Sequence, residues 1–129
     1  MRWMGGVVVF LLAVMLAGCD GGLFGGPPNA PDSLQLVADG TTQIIVTWSD
    51  NSNNERFFEL ERKIDSDEYE LLVSADRNAQ EHADLDVTVN HTYTYRIRAV
   101  NRRGESEWSE ETAHFFVDPS RPAAPSNLA

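Results

Sequence analysis

A single cysteine, Cys19, rules out any disulfide within the chain, so the fold must be held by its core alone. Basic side chains are scarce as well, with 10 Lys and Arg against 20 Asp and Glu and a formal net charge of −10. A surface of that sign repels phosphate backbones and anionic headgroups, which argues against nucleic acid as a partner and against a domain lying flat on lipid. The acids are spread along the chain, the pattern of a solvated surface rather than of an acidic tail. Gly-x-Ser-x-Gly, His-Glu-x-x-His and a phosphate loop are all missing, and His82, His91 and His114 stand at no metal-ligand spacing. The sequence thus offers no catalytic residue, no metal site and no cofactor site, and it reads as a non-enzyme. Arg-Gly-Asp is absent too, so integrin-type adhesion has no motif here.

What is present begins with a leader. Arg2 precedes an apolar run from Gly5 to Ala17, which is too short to span a bilayer comfortably and has the layout of an export signal. The run ends in Leu16-Ala17-Gly18-Cys19, which resembles the lipobox of bacterial lipoproteins. That resemblance implies a signal peptide over residues 1–18 and a Cys19 that becomes the first mature residue and carries diacylglycerol. Two or three acyl chains on one residue would hold the protein firmly to a membrane, in the cell envelope and outside the cytoplasm. Asp20 is similar to the retention signal of enterobacterial lipoproteins and leans the expectation toward the inner membrane. Residues 19–27 then form a tether too rich in Gly and Pro for a regular element.

Beyond the tether the pattern has period two. In Tyr93-Thr94-Tyr95-Arg96-Ile97-Arg98-Ala99, the residues Tyr93, Tyr95, Ile97 and Ala99 share one face of a strand, and Arg96 and Arg98 lie on the other. Ile44, Val46 and Trp48 form a second core face, and Phe58 and Leu60 alternate with Glu59 and Glu61 in a third strand. Further strands are expected over Ser33–Ala38, Glu68–Ser74 and Thr112–Val117, with a brief edge strand around His82. Tyr69, Leu71 and Leu72 are the apolar members of the Glu68–Ser74 strand. Seven short strands separated by turn residues predict an all-β, two-sheet sandwich with Trp48, Tyr93, Tyr95 and Ile97 at its core.

The same residues carry a family resemblance. Trp48 in the second strand, Tyr93-x-Tyr95-x-Ile97-x-Ala99 in the sixth, and Asn101-x-x-Gly104-x-Ser106-x-x-Ser109 after it resemble a fibronectin type III domain. The stretch Trp48 to Arg62 is similar to the second and third strands of bacterial members. Val87-x-Val89-x-His91-x-Tyr93 keeps the spacing of the family's Leu-x-Pro-x-Thr-x-Tyr with three substitutions. The resemblance covers residues 28–118 and implies a seven-stranded, immunoglobulin-like sandwich. It also implies that Tyr93 is a tyrosine-corner residue, its hydroxyl bonded to backbone near Val87. Pro28-x-x-Pro31-x-x-Leu34 recurs as Pro122-x-x-Pro125-x-x-Leu128, so residues 119–129 read as a linker and the opening of a second copy.

Two surface features merit inspection. Asp50-Asn51-Ser52-Asn53-Asn54-Glu55 concentrates oxygen donors but lacks the spacing of a calcium loop, and Asx turns account for its composition. Ser106-Glu107-Trp108-Ser109 resembles half of the Trp-Ser-x-Trp-Ser motif of cytokine-receptor domains, with Glu105 where the first Trp would stand. No full cation–π ladder is therefore expected, only a local contact of Trp108 with Arg96 or Arg98. The alternative is an exposed Trp108 anchoring a protein or glycan partner. The functional expectation is a membrane-anchored lipoprotein whose domain acts as a non-catalytic interaction or spacer module. The rival is an accessory or fragment of a polysaccharide-binding or polysaccharide-degrading enzyme.

Overall fold

The computed structural model describes residues 25–118, so the lipobox, Cys19, Asp20 and the Pro122–Leu128 repeat lie outside the described residues. Eight strands form: β1 (Asp32–Asp39), β2 (Gln43–Ser49), β3 (Phe57–Ile64), β4 (Glu70–Asp76), β5 (Glu81–Asp84), β6 (His91–Asn101), β7 (Gly104–Glu105) and β8 (Thr112–Phe116). A three-stranded sheet runs β1-β2-β5, and a five-stranded sheet runs β4-β3-β6-β7 with β8 also paired to β6. Every pairing is antiparallel. This is the expected all-β sandwich. The count exceeds seven because a two-residue strand, β7, pairs with the end of β6 ahead of the expected last strand, which is β8.

Alternation decides which side chains meet between the sheets. Ile44, Val46 and Trp48 from β2 face Phe58 and Leu60 from β3, and Tyr93, Tyr95, Ile97 and Ala99 from β6, all of them buried. Trp48 is 4% exposed, and its ring lies 5.8 Å from that of Phe58 at a tilt of 60°. Burying each such side chain is worth about 1.5–3 kcal/mol. Phe116 closes the core from β8, its ring edge-on to Tyr93 at 6.3 Å. The Tyr93 hydroxyl accepts from the Thr88 N–H at 2.8 Å and donates to the Thr88 carbonyl at 3.2 Å, pinning the chain just before β6.

Two carboxylates are also buried. Both oxygens of Asp84 on β5 accept from Arg62 Nη1, at 3.0 and 2.9 Å, and one of them takes a 2.7 Å bond from the Tyr95 hydroxyl. β5 belongs to the small sheet and β3 and β6 to the large one, so this cluster ties the two layers together. Glu55 accepts from Ser52 Oγ at 2.7 Å and from the Asn78 N–H at 3.1 Å, closing the loop between β2 and β3.

β4 departs from the sequence reading. It starts at Glu70 rather than Glu68, and the register with β3 jumps between Leu60↔Val73 and Glu61↔Leu71, leaving Leu72 as a bulge. Leu71 is thereby turned to solvent, 54% exposed. The chain meets the sandwich at the β6–β7 turn, where the Gly26 carbonyl accepts from Asn101 Nδ2 at 2.9 Å. It leaves at the opposite end, where Phe116 pairs with His91 at the start of β6.

Candidate functional site

The outer face of the five-stranded sheet carries the densest arrangement of charged and aromatic side chains. Register places Arg96 opposite Glu61 and Arg98 opposite Glu59, and each pair closes to 2.7 Å. Beside them, residues 106–109 dock on β6 through their serines. Ser106 N–H donates to the Ala99 carbonyl at 2.8 Å while Ser106 Oγ accepts from the Ala99 N–H at 2.9 Å. Ser109 repeats the exchange with Ile97, at 2.8 and 3.1 Å. Three residues of this segment therefore span two residues of the strand, and the residues between the serines are pushed outward. Trp108 is one of them.

Its ring centroid lies 4.2 Å from the Arg96 guanidinium and 4.3 Å from that of Arg98. Alternate residues of a strand stand about 6.7 Å apart, so the two guanidiniums take opposite faces of the indole. The stack continues past Arg96. Tyr69 covers Arg96 at 4.0 Å, and Lys63 lies over Tyr69 at 5.1 Å. The order Lys63, Tyr69, Arg96, Trp108, Arg98 is thus a ladder of alternating cations and rings. The expectation that Glu105 would prevent one is corrected: the second ring comes from the residue before β4, not from the Trp-Ser segment. Burial and the adjacent Glu111 carboxylate push the Tyr69 phenol above its ordinary range, so the ring stays neutral.

The chemistry of this arrangement is closure. Each guanidinium of the ladder has a carboxylate partner and at least one ring, and the indole has both faces covered. Such contacts are worth about 0.5–1 kcal/mol each at exposed sites. The ladder thus staples the start of β4, β3, β6 and the Ser106–Ser109 segment across one face.

The polar loop between β2 and β3 is organised by its own side chains. Asp50 Oδ1 accepts from the Ser52 N–H at 3.1 Å, and Asn51 Nδ2 donates to the Ala30 carbonyl at 3.0 Å. Among the described residues no group of three or more His, Cys, Asp or Glu side chains is placed to hold a metal ion. His82 sits on β5, His114 on β8, and His91 pairs through Nδ1 with Asp65 at 2.7 Å. A cleft of about 860 Å³ opens between this loop, residues 25–29 and residues 105–107; Asp50, Asn53, Glu105 and Glu107 are among its polar walls.

The family model described as Fibronectin type III domain matches residues 29–115. The chain belongs to the fibronectin type III family. Solved structures share the fibronectin type III fold at low identity. The sixth fibronectin type III domain of human fibronectin type III domain containing protein 3 superimposes with a TM-score of 0.64 at 18% identity, covering 81% of this chain and 100% of that one. The FN1-FN3 domains of chicken CNTN1 match at TM-score 0.62 and 22% identity, over 71% of this chain. A β-1,2-glucanase from Parabacteroides distasonis matches at TM-score 0.60 and 20% identity, over 70% of this chain. The chain spans 33% of the CNTN1 structure and 13% of the glucanase.

Sequence reasoning placed Trp108, Arg96 and Arg98 on one surface of this fibronectin type III domain, and the structure brings them into contact. It missed the ladder roles of Tyr69 and Lys63 and the Arg62–Asp84–Tyr95 cluster. Nothing in the sequence marked Tyr69 for this role, because its alternation was read as that of an apolar member of the Glu68–Ser74 strand and β4 begins one residue later, at Glu70.

Proposed function

We propose that this chain is a lipid-anchored, extracytoplasmic protein of the bacterial envelope whose fibronectin type III domain serves as a non-catalytic spacer or protein-interaction module. The observation that supports this reading is the placement of the two ends of the described domain, at Gly26 and at Phe116. Entry beside Asn101 and exit beside His91 put the domain in series between the segments on either side of it, as a spacer requires. The lipobox supplies the anchor in this reading, with Cys19 as the acylated residue and Asp20 favouring the inner membrane. The closed ladder supports a rigid module, since its rings are engaged within the domain.

Metabolic acyl labelling tests the anchor. The wild-type chain is expected to take up label and partition with membranes, and Cys19→Ser to lose both; label retained by the Cys19→Ser chain would sink the reading. The size of the labelled band also reports whether a second domain lies beyond Pro122.

A second reading is an accessory role beside a polysaccharide-degrading enzyme, favoured by the likeness to a domain-sized part of a β-1,2-glucanase. A glycan contact would then have to use the polar cleft or the indole edge, because both faces of Trp108 are taken. Retention of the chain on an insoluble polysaccharide, and its loss in Trp108→Ala, would favour that role; no retention on any polymer would count against it.

A further inference from the structure

The bases of this acidic domain are not all neutralised in the same way. Arg62, Arg96 and Arg98 pair with carboxylates, Lys63 stacks on Tyr69, and Arg77 bonds to the Asn53 carbonyl. Arg56, Arg102 and Arg103 are exposed, and no carboxylate among the described residues lies within ion-pair distance of them. All three line a single recess of about 410 Å³ together with Gly25, Gly26 and Asn54. Arg56 is held there by its N–H, which donates to the Val100 carbonyl at 2.7 Å, and Arg102 and Arg103 form the β6–β7 turn.

The incoming chain crosses this same end. The Gly26 carbonyl takes bonds from Asn101 Nδ2 at 2.9 Å and Asn54 Nδ2 at 3.2 Å, and a Cβ on Gly104 would stand 3.6 Å from the Pro27 ring. The strap divides the end of the sandwich. Asp50, Glu105 and Glu107 line the larger cleft, and the arginines line the smaller recess. Six residues before Gly25 stands Cys19, a reach of at most about 20 Å for an extended chain.

We propose that Arg56, Arg102 and Arg103 form a docking surface for the anionic phospholipid headgroups of the membrane that carries the chain, seating the domain end-on beside its own anchor. This rests on the lipid-anchor reading. Charge complementarity selects the occupant: in a chain of net charge −10, Arg56, Arg102 and Arg103 are gathered in one recess with no carboxylate partner among the described residues, on the other side of the strap from Asp50, Glu105 and Glu107. Guanidiniums suit phosphate, which they engage through paired N–H donors.

The test uses the mature chain, residues 19–129, in two forms. The lipidated form is floated with vesicles of phosphatidylcholine alone, and failure to float would sink the anchor reading by itself. The Cys19→Ser form, which has no acyl chain, is sedimented at low salt with vesicles containing phosphatidylglycerol and with vesicles of phosphatidylcholine alone. Binding is expected only to the former, to fall about five-fold for each of Arg56→Gln, Arg102→Gln and Arg103→Gln, and to vanish at high salt. These are surface positions, and an unchanged melting temperature will show that the variants fold. Equal binding by the variants, equal binding to both vesicles, or preference for a soluble polyanion over phosphatidylglycerol vesicles would each overturn the proposal.

Discussion

Asp84 has 1% of its side chain exposed, yet it faces a guanidinium, a phenol and the Asp86 N–H. Removing the carboxylate would leave Arg62, itself largely buried, with only the Asp86 carbonyl at 2.9 Å and the exposed Asp86 carboxylate at 3.6 Å. Asp84→Ala is expected to lower stability by about 3–5 kcal/mol, and Tyr95→Phe, which deletes one bond to a charged group, by about 1.5–3 kcal/mol. Urea unfolding measures both, and a loss under about 1 kcal/mol for Asp84→Ala would mean that water already reaches the pair. Glu55 sets a pH dependence. Burial raises its pKa, but the bonds from Ser52 Oγ and from backbone N–H groups outweigh it and hold the carboxyl below the ordinary value of 4.5. The unfolded chain therefore binds this proton at a higher pH than the folded one does. The contribution is full at neutral pH and is lost as the pH falls below 4.5 through the folded-state pKa. Asp65, which accepts from the Thr92 N–H and pairs with His91, shifts in the same direction. Melting temperature against pH should show a shallower acid limb in Glu55→Gln than in the wild type; parallel limbs would remove Glu55 from the account.

Strands differ in how plainly their sequence declares them. β6 reads correctly because Tyr93, Tyr95, Ile97 and Ala99 all face the core, although Thr94 on the opposite face is buried as well. β4 misleads because the Leu72 bulge reverses the facing of everything before it, so Leu71 turns outward and Tyr69 joins the ladder rather than the core. The Ser106–Ser109 segment is intermediate: its serine spacing is visible, but its docking on Ala99 and Ile97 depends on where β6 ends. The ladder makes an element-scale prediction. Trp108→Ala removes two guanidinium contacts and should cost about 1–2 kcal/mol. In a double-mutant cycle with Arg98→Ala the two losses should fail to add by about 0.5 kcal/mol or more. Additive losses would show that the indole packs on the strand without a cation–π component.

At the scale of the whole molecule, one core joins both sheets, and Trp48 lies within it beside Phe58. Trp48→Ala should cost about 3–5 kcal/mol, a large share of the roughly 5–15 kcal/mol that stabilises a typical domain. The expected outcome by calorimetry is loss of the cooperative transition; a soluble variant with a sharp melt would place the indole outside the core. The family match and the entry and exit at opposite ends make the domain a unit that can stand in a series. Whether its surface or its length matters to the cell is the question that vesicle binding and acyl labelling divide.

By itself the sequence determined the class of fold and the composition of the core, including Trp48, Tyr93, Tyr95 and Ile97, because alternation within one strand is a local property that needs no partner. Only the tertiary structure decided that Tyr69 meets Arg96, that Arg62 and Tyr95 converge on Asp84, and that Arg56, Arg102 and Arg103 gather beside the strap at Gly26. Each of those contacts joins residues from separate strands or turns. They arise from register, from a bulge and from the packing of one sheet on another, none of which is written in any single run of residues.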